Sequence, residues 1–255
     1  MTNSGSPHHL TTIENAFRIV EILREADEAT LSDIAAELDL AISTVHDYLT
    51  TLENLEYVVK EDGTYRVGMQ FYEIGKYVKR SNDLLGEVRP VLKEIADETD
   101  EVVWYIIEEH GKAVYLESVP GRRAVPTYAK AGERTPMHCV AAGKVILAHY
   151  PKARVQEIFE RQGMDKRTEN TITDQKSLFE EFERIQEQGV GFNDEESVYG
   201  VRAVATPVFD GEEIAGAISV PGPANRLVND RWRTEIPEIL LAATNELDLR
   251  LRYSD

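Results

Sequence analysis

Between Thr30 and Leu52 the apolar positions fall at helical spacing in two short bursts. Leu31, Ile34, Ala35 and Leu38 share one side of a helix predicted from about Ser32 to Leu38, and Val45, Leu49 and Leu52 share one side of a second, from about Ser43 to Leu55. Thr30 or Ser32 is placed to cap the first helix and Ser43 the second, each by accepting a bond from free backbone amides. Thr44, Asp47, Tyr48 and Thr51 then form the outward face of the second helix, a polar rod of a size that a DNA major groove accommodates. Upstream, Ile13, Phe17, Val20 and Leu23 recur at helical intervals within Thr12 to Leu23. Downstream, Glu56 to Val67 reads as a hairpin: Tyr57 to Val59 rise, Glu61-Asp62-Gly63 turn and Thr64 to Val67 return. A hairpin directly after such a helix is a wing, and its Lys60 and Arg66 are placed to reach phosphate oxygens. Helix pairs of this size also occur in proteins that never meet nucleic acid. The added first helix and wing turn the reading into a winged helix-turn-helix domain over residues 1–68.

Residues 69–83 continue as a linker helix, with Phe71, Ile74, Tyr77 and Val78 in an apolar stripe. That stripe either packs on its own domain or pairs with a second copy; because helix-turn-helix proteins usually bind two half-sites, a homodimer is expected. Residues 84–255 form the second domain. Leu84, Leu85, Val88, Val91, Leu92 and Ile95 keep helical spacing, and strand-like runs follow at Val102 to Glu109, Ala113 to Val119 and Val125 to Ala129. Arg134 to Pro136 is expected as a loop leading into a helix from about Cys139. Two surface helices (Lys152 to Arg161, Asp174 to Gln188), three more strands (Gly191 to Asn193, Val201 to Phe209, Ile214 to Pro221) and a closing helix (Asp230 to Leu251) complete the pattern. Strands and helices in this order describe an α+β domain, an antiparallel sheet covered by helices.

Charge changes the picture. The chain has 255 residues and a formal charge of -18, from 46 acidic and 28 basic residues. Through Arg80 there are 14 Asp and Glu against 7 Lys and Arg, so the domain assigned to DNA is itself acidic. A duplex is repelled by such a surface at low salt except through a local patch. Either the domain does not bind DNA, or it works in concentrated salt, where repulsion is screened and carboxylates maintain solvation. The even spread of acid over aliphatic cores favours the second, a halophilic protein; the plainer alternative is an ordinary acidic cytoplasmic protein. No opening signal-length apolar run and no apolar stretch of membrane-spanning length occur, which predicts a soluble cytoplasmic protein without membrane contact.

The sequence carries no constellation of catalytic side chains. Cys139 adjoins His138, but sequence neighbours on a helix diverge and do not make a nucleophile–base pair. A single cysteine excludes an internal disulfide, and the six histidines show no metal-ligand spacing. No cofactor, metal or enzymatic activity is expected.

ISTVHDYLTTLENLEYV, MHCVAAGKVILA, NDEESVYGVRAVATPVFD and GAISVPGP, in this order and at these separations, resemble the IclR family of transcriptional regulators over about Thr11 to Leu251. The resemblance implies a GAF-like effector-binding and oligomerisation domain at residues 84–255. It also implies a double-stranded palindromic operator, a homodimer or dimer of dimers, and repression of metabolic genes controlled by a small organic acid. By residue, it assigns operator reading to Ser43, Thr44, His46, Asp47 and Tyr48, to which the helix face adds Thr51. Asp47 stands where the family commonly has a basic residue. The effector wall falls to Met137, His138, Cys139, Ala141 and Ala142 with Asn193, Ala203 and Ser219, and the helix start near Cys139 would offer free amides to an anion. Asn193 replaces a frequent Asp, Ala203 a frequent Cys and Pro221 an occasional Ser. Glu196 is expected to bond backbone near the pocket and Gly200 to allow a tight turn. A sensor domain acting without ligand, or a redox switch at Cys139, are the competing readings.

Overall fold

The computed structural model describes residues 10–125 and 129–253, which separate into two compact units with the boundary between Asn82 and Asp83. The first unit contains α1 (Thr11–Ala26), β1 (Ala29–Thr30), α2 (Leu31–Leu38), α3 (Ile42–Asn54), β2 (Val58–Glu61), β3 (Thr64–Val67) and α4 (Gln70–Arg80). A capping box starts α2: the Thr30 hydroxyl accepts the Asp33 N–H, and the Asp33 carboxylate accepts the Thr30 N–H at 3.1 Å. Asp39 ends α2 in the left-handed conformation, and Ala41 leads into α3. The expected Ser43 cap is not there. Helix α3 begins one residue earlier, at Ile42, so Ser43 lies inside the first turn and Ala41 occupies the cap position without a side-chain bond.

Ile34, Ala35 and Leu38 of α2 pack against Val45 and Leu49 of α3, and Ile19, Leu23, Val58 and Tyr65 close the core. The inward face of α1 differs from expectation. Ile19, Val20 and Leu23 are buried, whereas Ile13 and Phe17 are 54 % and 60 % exposed on another side of the helix. In the wing, Val58 pairs with Val67 and Glu61 with Thr64, around an Asp62-Gly63 turn in which both residues have positive φ. Strand β1 adds to β3 as a third strand. Helix α4 buries none of its residues; Tyr72, Ile74, Tyr77 and Val78 are all exposed.

The second unit contains α5 (Leu85–Thr99), β4 (Val103–Glu109), β5 (Lys112–Val119), β6 (Arg134–Pro136), α6 (Ala141–Ala148), α7 (Lys152–Gln162), α8 (Gln175–Gln188), β7 (Gly191–Asp194), β8 (Val201–Asp210), β9 (Glu213–Pro223) and α9 (Ile236–Tyr253). A 3₁₀ turn (Met137–Cys139) precedes α6 and a π turn (Arg231–Glu235) precedes α9. The strands form one antiparallel sheet in the order β6-β5-β4-β9-β8-β7. Alternation along β4 sorts the two cores: Trp104 and Ile106 join α6, α7 and α8 on one face, and Val103 and Tyr105 join α5 and α9 on the other. Arg134–Pro136 is a correction. It is a strand, pairing with Lys112–Val114 of β5, where the sequence reads as a loop. The strand expected at Val125 to Ala129 falls largely on residues 126–128, outside the described residues.

Candidate effector cavity and DNA-facing surface

The α6–α8 face of the sheet holds a cavity of about 310 Å³. Its floor is apolar: Val102 and Ile106 at β4, Ala203 on β8 and the ring of Tyr115 on β5, which Trp104 holds edge-on at 5.2 Å. Val140, Ala141 and Ala142 bring the first turn of α6 to one wall; small side chains there leave the unpaired first-turn N–H groups close to the space. The polar groups are few. Asn193 Oδ1 accepts the Glu196 N–H at 2.8 Å, which fixes the amide orientation and leaves its NH₂ for a ligand. Ser219 bonds the Val204 carbonyl at 3.3 Å, and Tyr115 is hydrogen-bonded to Thr135, its phenol pushed above the usual range by burial. Arg167, exposed in the loop before α8, brings a guanidinium to the lining. At the far end Arg226 pairs with the buried Glu101, whose carboxyl is raised by burial against the opposing pull of Arg226 and Arg231.

Five of the eight expected wall residues line this cavity: Ala141, Ala142, Asn193, Ala203 and Ser219. Met137, His138 and Cys139 do not. The 3₁₀ turn delays α6 to Ala141 and directs these three side chains into the protein, where Met137 and Cys139 join the core and His138 Nε2 donates to the Asp165 carbonyl at 3.1 Å. Burial lowers the His138 pKa, and that bond selects the neutral Nε2–H form. Cys139 is fully buried, and burial pushes its thiol up to about 11, the opposite of a reactive thiolate.

Sequence reasoning missed Tyr115, Thr135, Arg167 and Arg226. Glu196 bonds backbone as expected, accepting the Asp194 N–H at 3.4 Å, but its main partner was missed. The Glu196 carboxylate takes the Lys144 ammonium at 2.6 Å, and Lys144, 1 % exposed, reaches Glu181 at 3.1 Å as well. This buried pair ties α6 to the loop after β7. Thr168 and Thr171 hold the same loop by donating to the Glu195 and Glu196 carbonyls, and Gly200 turns it with φ of +78°.

In the first unit Ser43, Thr44, His46, Asp47 and Thr51 are exposed on α3, and Tyr48 is half-buried with its ring against the core. The Thr51 hydroxyl donates to the Asp47 carbonyl at 2.8 Å, so it is engaged within its own helix. His46 lies 3.8 Å from Asp47. On the wing, Lys60 stands over the Tyr65 ring and Arg66 faces Glu61 at 3.7 Å.

Residues 12–62 match the IclR helix-turn-helix domain, and residues 76–249 match the C-terminal domain of the bacterial transcriptional regulator IclR. The chain belongs to the IclR family. It is a sequence-specific DNA-binding regulator with an effector-binding domain of the IclR type. The probable HTH-type transcriptional regulator ArcR of Halobacterium salinarum is 32 % identical over 254 residues, 98 % of this chain and 97 % of that protein. The transcriptional repressor IclR of Escherichia coli is 28 % identical over 244 residues, 93 % of this chain and 89 % of the repressor. The crystal structure of the Thermotoga maritima IclR superimposes with a TM-score of 0.80 at 27 % identity, covering 96 % of this chain and all of that one. An IclR homologue from Microbacterium hydrocarbonoxydans, complexed with 4-hydroxybenzoate, shares the fold with a TM-score of 0.79 at 22 % identity, over 94 % of this chain and 99 % of the homologue.

Proposed function

We propose that this IclR-family regulator represses metabolic genes and releases its operator when a small organic acid occupies the 310 Å³ cavity. The carrying observation is the lining. Apolar walls suit a ring or short aliphatic body, while the Asn193 amide, the first turn of α6 and the Arg167 guanidinium supply donors and positive potential for one carboxylate. The 4-hydroxybenzoate complex of the Microbacterium hydrocarbonoxydans homologue sets the scale of a suitable ligand. The protein acts by binding DNA and a small molecule, without catalysis, in the cytoplasm where both are met.

The assembly is a homodimer or a dimer of dimers. The exposed apolar side chains of α1 and α4 support it, because Phe17, Tyr72, Ile74 and Tyr77 find no cover within one chain. An effector that prefers one arrangement of that assembly shifts half-site spacing and therefore operator affinity. The charge of -18 supports operation in concentrated salt.

The test is binding to DNA upstream of the protein's own gene against a scrambled duplex, in KCl from about 0.1 M to 2 M. At each salt, 4-hydroxybenzoate and short 2-oxo acids are compared with their primary amides. Acids are expected to weaken operator binding while amides of the same shape do not. Equal operator affinity with every acid and every amide rejects the effector assignment, and equal affinity for scrambled DNA throughout rejects this DNA as the operator.

A further inference from the structure

Strand β7 has two faces, and only one belongs to the effector cavity. Asn193 points to that cavity, whereas Phe192 and Asp194, one residue to either side, line a second cavity of about 280 Å³ between β7, α8 and the π turn before α9. Two polar side chains at its wall are more than nine-tenths buried and incompletely bonded. Glu196, 6 % exposed, gives Oε1 to Lys144 and to the Asp194 N–H, and its Oε2 has no hydrogen-bond partner. Trp232, 4 % exposed, has an indole N–H without an acceptor. Buried polar groups in folded proteins are overwhelmingly paired, so an orphan acceptor and an orphan donor at one cavity need a partner.

The charges define what that partner is. Glu181 is matched by Lys144 and Arg184, and Asp194 by Arg202. Arg233 forms no ion pair with a carboxylate of the described residues. Its guanidinium lies 3.8 Å from the centre of the Trp232 ring and 5.0 Å from that of Phe192. A simple carboxylate would satisfy Arg233 and the indole but would face Glu196, Glu181 and Asp194. A simple amine would satisfy Glu196 and leave the indole and Arg233 as they are. We propose that this cavity is a second ligand site, for a zwitterionic α-amino acid whose ammonium donates to Glu196 Oε2 and whose carboxylate accepts from Trp232 Nε1 and pairs with Arg233.

A zwitterion adds no net charge to a wall whose other ions are already matched. Arg184 and Arg233 are exposed, long side chains at the mouth, and their rotation opens the way to the buried pair. Occupancy would also be felt at the effector cavity, because the Glu196 N–H donates to Oδ1 of Asn193, which lines that cavity.

The site is tested by calorimetric titration of the full-length protein with glycine, L-serine and L-alanine. Propionate, ethylammonium and glycine betaine, which carries no N–H, serve as comparisons. Saturable binding of at least one α-amino acid is expected, with the three comparison compounds about tenfold or more weaker. Arg233→Gln, at an exposed position, and Trp232→Phe, which keeps the ring and removes the N–H, are each expected to weaken amino-acid binding by about tenfold. Without added amino acid, response to effector acids should be unchanged in Arg233→Gln. The proposal is overturned if no α-amino acid binds saturably to the wild type up to about 50 mM, the result expected where water alone fills the cavity. It is equally overturned if propionate or ethylammonium binds as tightly, or if Arg233→Gln leaves amino-acid affinity unchanged.

Discussion

Lys144→Met removes the cation that, among the described residues, pairs with Glu196. Lys144 is 1 % exposed at its side chain, Glu196 7 % and Glu181 18 %, so water screens little of the pair. Glu181 keeps Arg184 at 2.8 Å after the substitution, but Glu196 keeps only the long bond from the Asp194 N–H at 3.4 Å. Breaking a buried pair and stranding one charge costs about 3–5 kcal/mol. For a unit of this size that lowers Tm by roughly 6–20 °C. The loss depends on pH with a definite sign. Burial already raises the Glu196 pKa, and Lys144 is the strongest opposing influence; without it the folded-state value rises further. A raised carboxyl pKa gives stability that is complete below the unfolded value and is lost as pH rises through the folded one. The variant's deficit is therefore larger at about pH 8 than at about pH 5 in urea unfolding. Adding Glu196→Gln removes the stranded charge and should recover most of the loss. A deficit below about 1 kcal/mol, one independent of pH, or one that Glu196→Gln fails to relieve would refute the reasoning.

Three further outcomes follow from single contacts. Burial holds the His138 pKa below its ordinary value, so its stabilising effect is complete above about pH 6.5 and falls as pH drops through that value towards the folded one. His138→Gln, which can still donate to the Asp165 carbonyl, should flatten thermal stability over that window; an unchanged slope would show that another group controls it. Cys139, fully buried with its thiol pushed up to about 11, should react with an aromatic disulfide at neutral pH only as fast as the native state opens. Reaction at the rate of a free thiol, with loss of operator binding, would instead establish a redox switch. On α3, Thr44→Ala should reduce operator discrimination by about 1–3 kcal/mol. Thr51→Val should change it less, because the Thr51 hydroxyl already donates to the Asp47 carbonyl; equal losses from the two in competition binding would overturn that ranking.

The fold was legible where periodicity had one meaning and illegible where it had two. Leu178, Phe182 and Ile185 recur on a single apolar face of α8, and Asp174 caps it through the Ser177 N–H at 2.8 Å, so spacing and cap agree. Helix α1 carries apolar residues on two sides. The Ile13 and Phe17 spacing is as regular as the Ile19 and Leu23 spacing, and only tertiary packing decides that the second faces the core. The first face stays at the surface, where the proposed homodimer would cover it.

The cavity shows the same division on a finer scale. Ala141, Ala142, Asn193, Ala203 and Ser219 were found through the family's order of motifs. Met137, His138 and Cys139 were displaced by one 3₁₀ turn, a shift in helix start that hydrophobic spacing does not register. Tyr115, Thr135 and Arg167 come from separate elements and meet only because β5 pairs with β6 beneath the loop that precedes α8. Lys144 did leave a trace: a single cation inside the apolar run AAGKVILA either reaches solvent or finds a buried carboxylate. The small residues around it remove the first option, since Gly143 lies against the Met137 backbone so closely that an added methyl would overlap the carbonyl oxygen. With α6 seated that deeply, the ammonium ends inside the protein, and Glu196, 52 positions later, is the group that makes the position tenable. The loop walling the effector cavity is thus held by a charge pair whose two halves the sequence displays separately and only the fold joins.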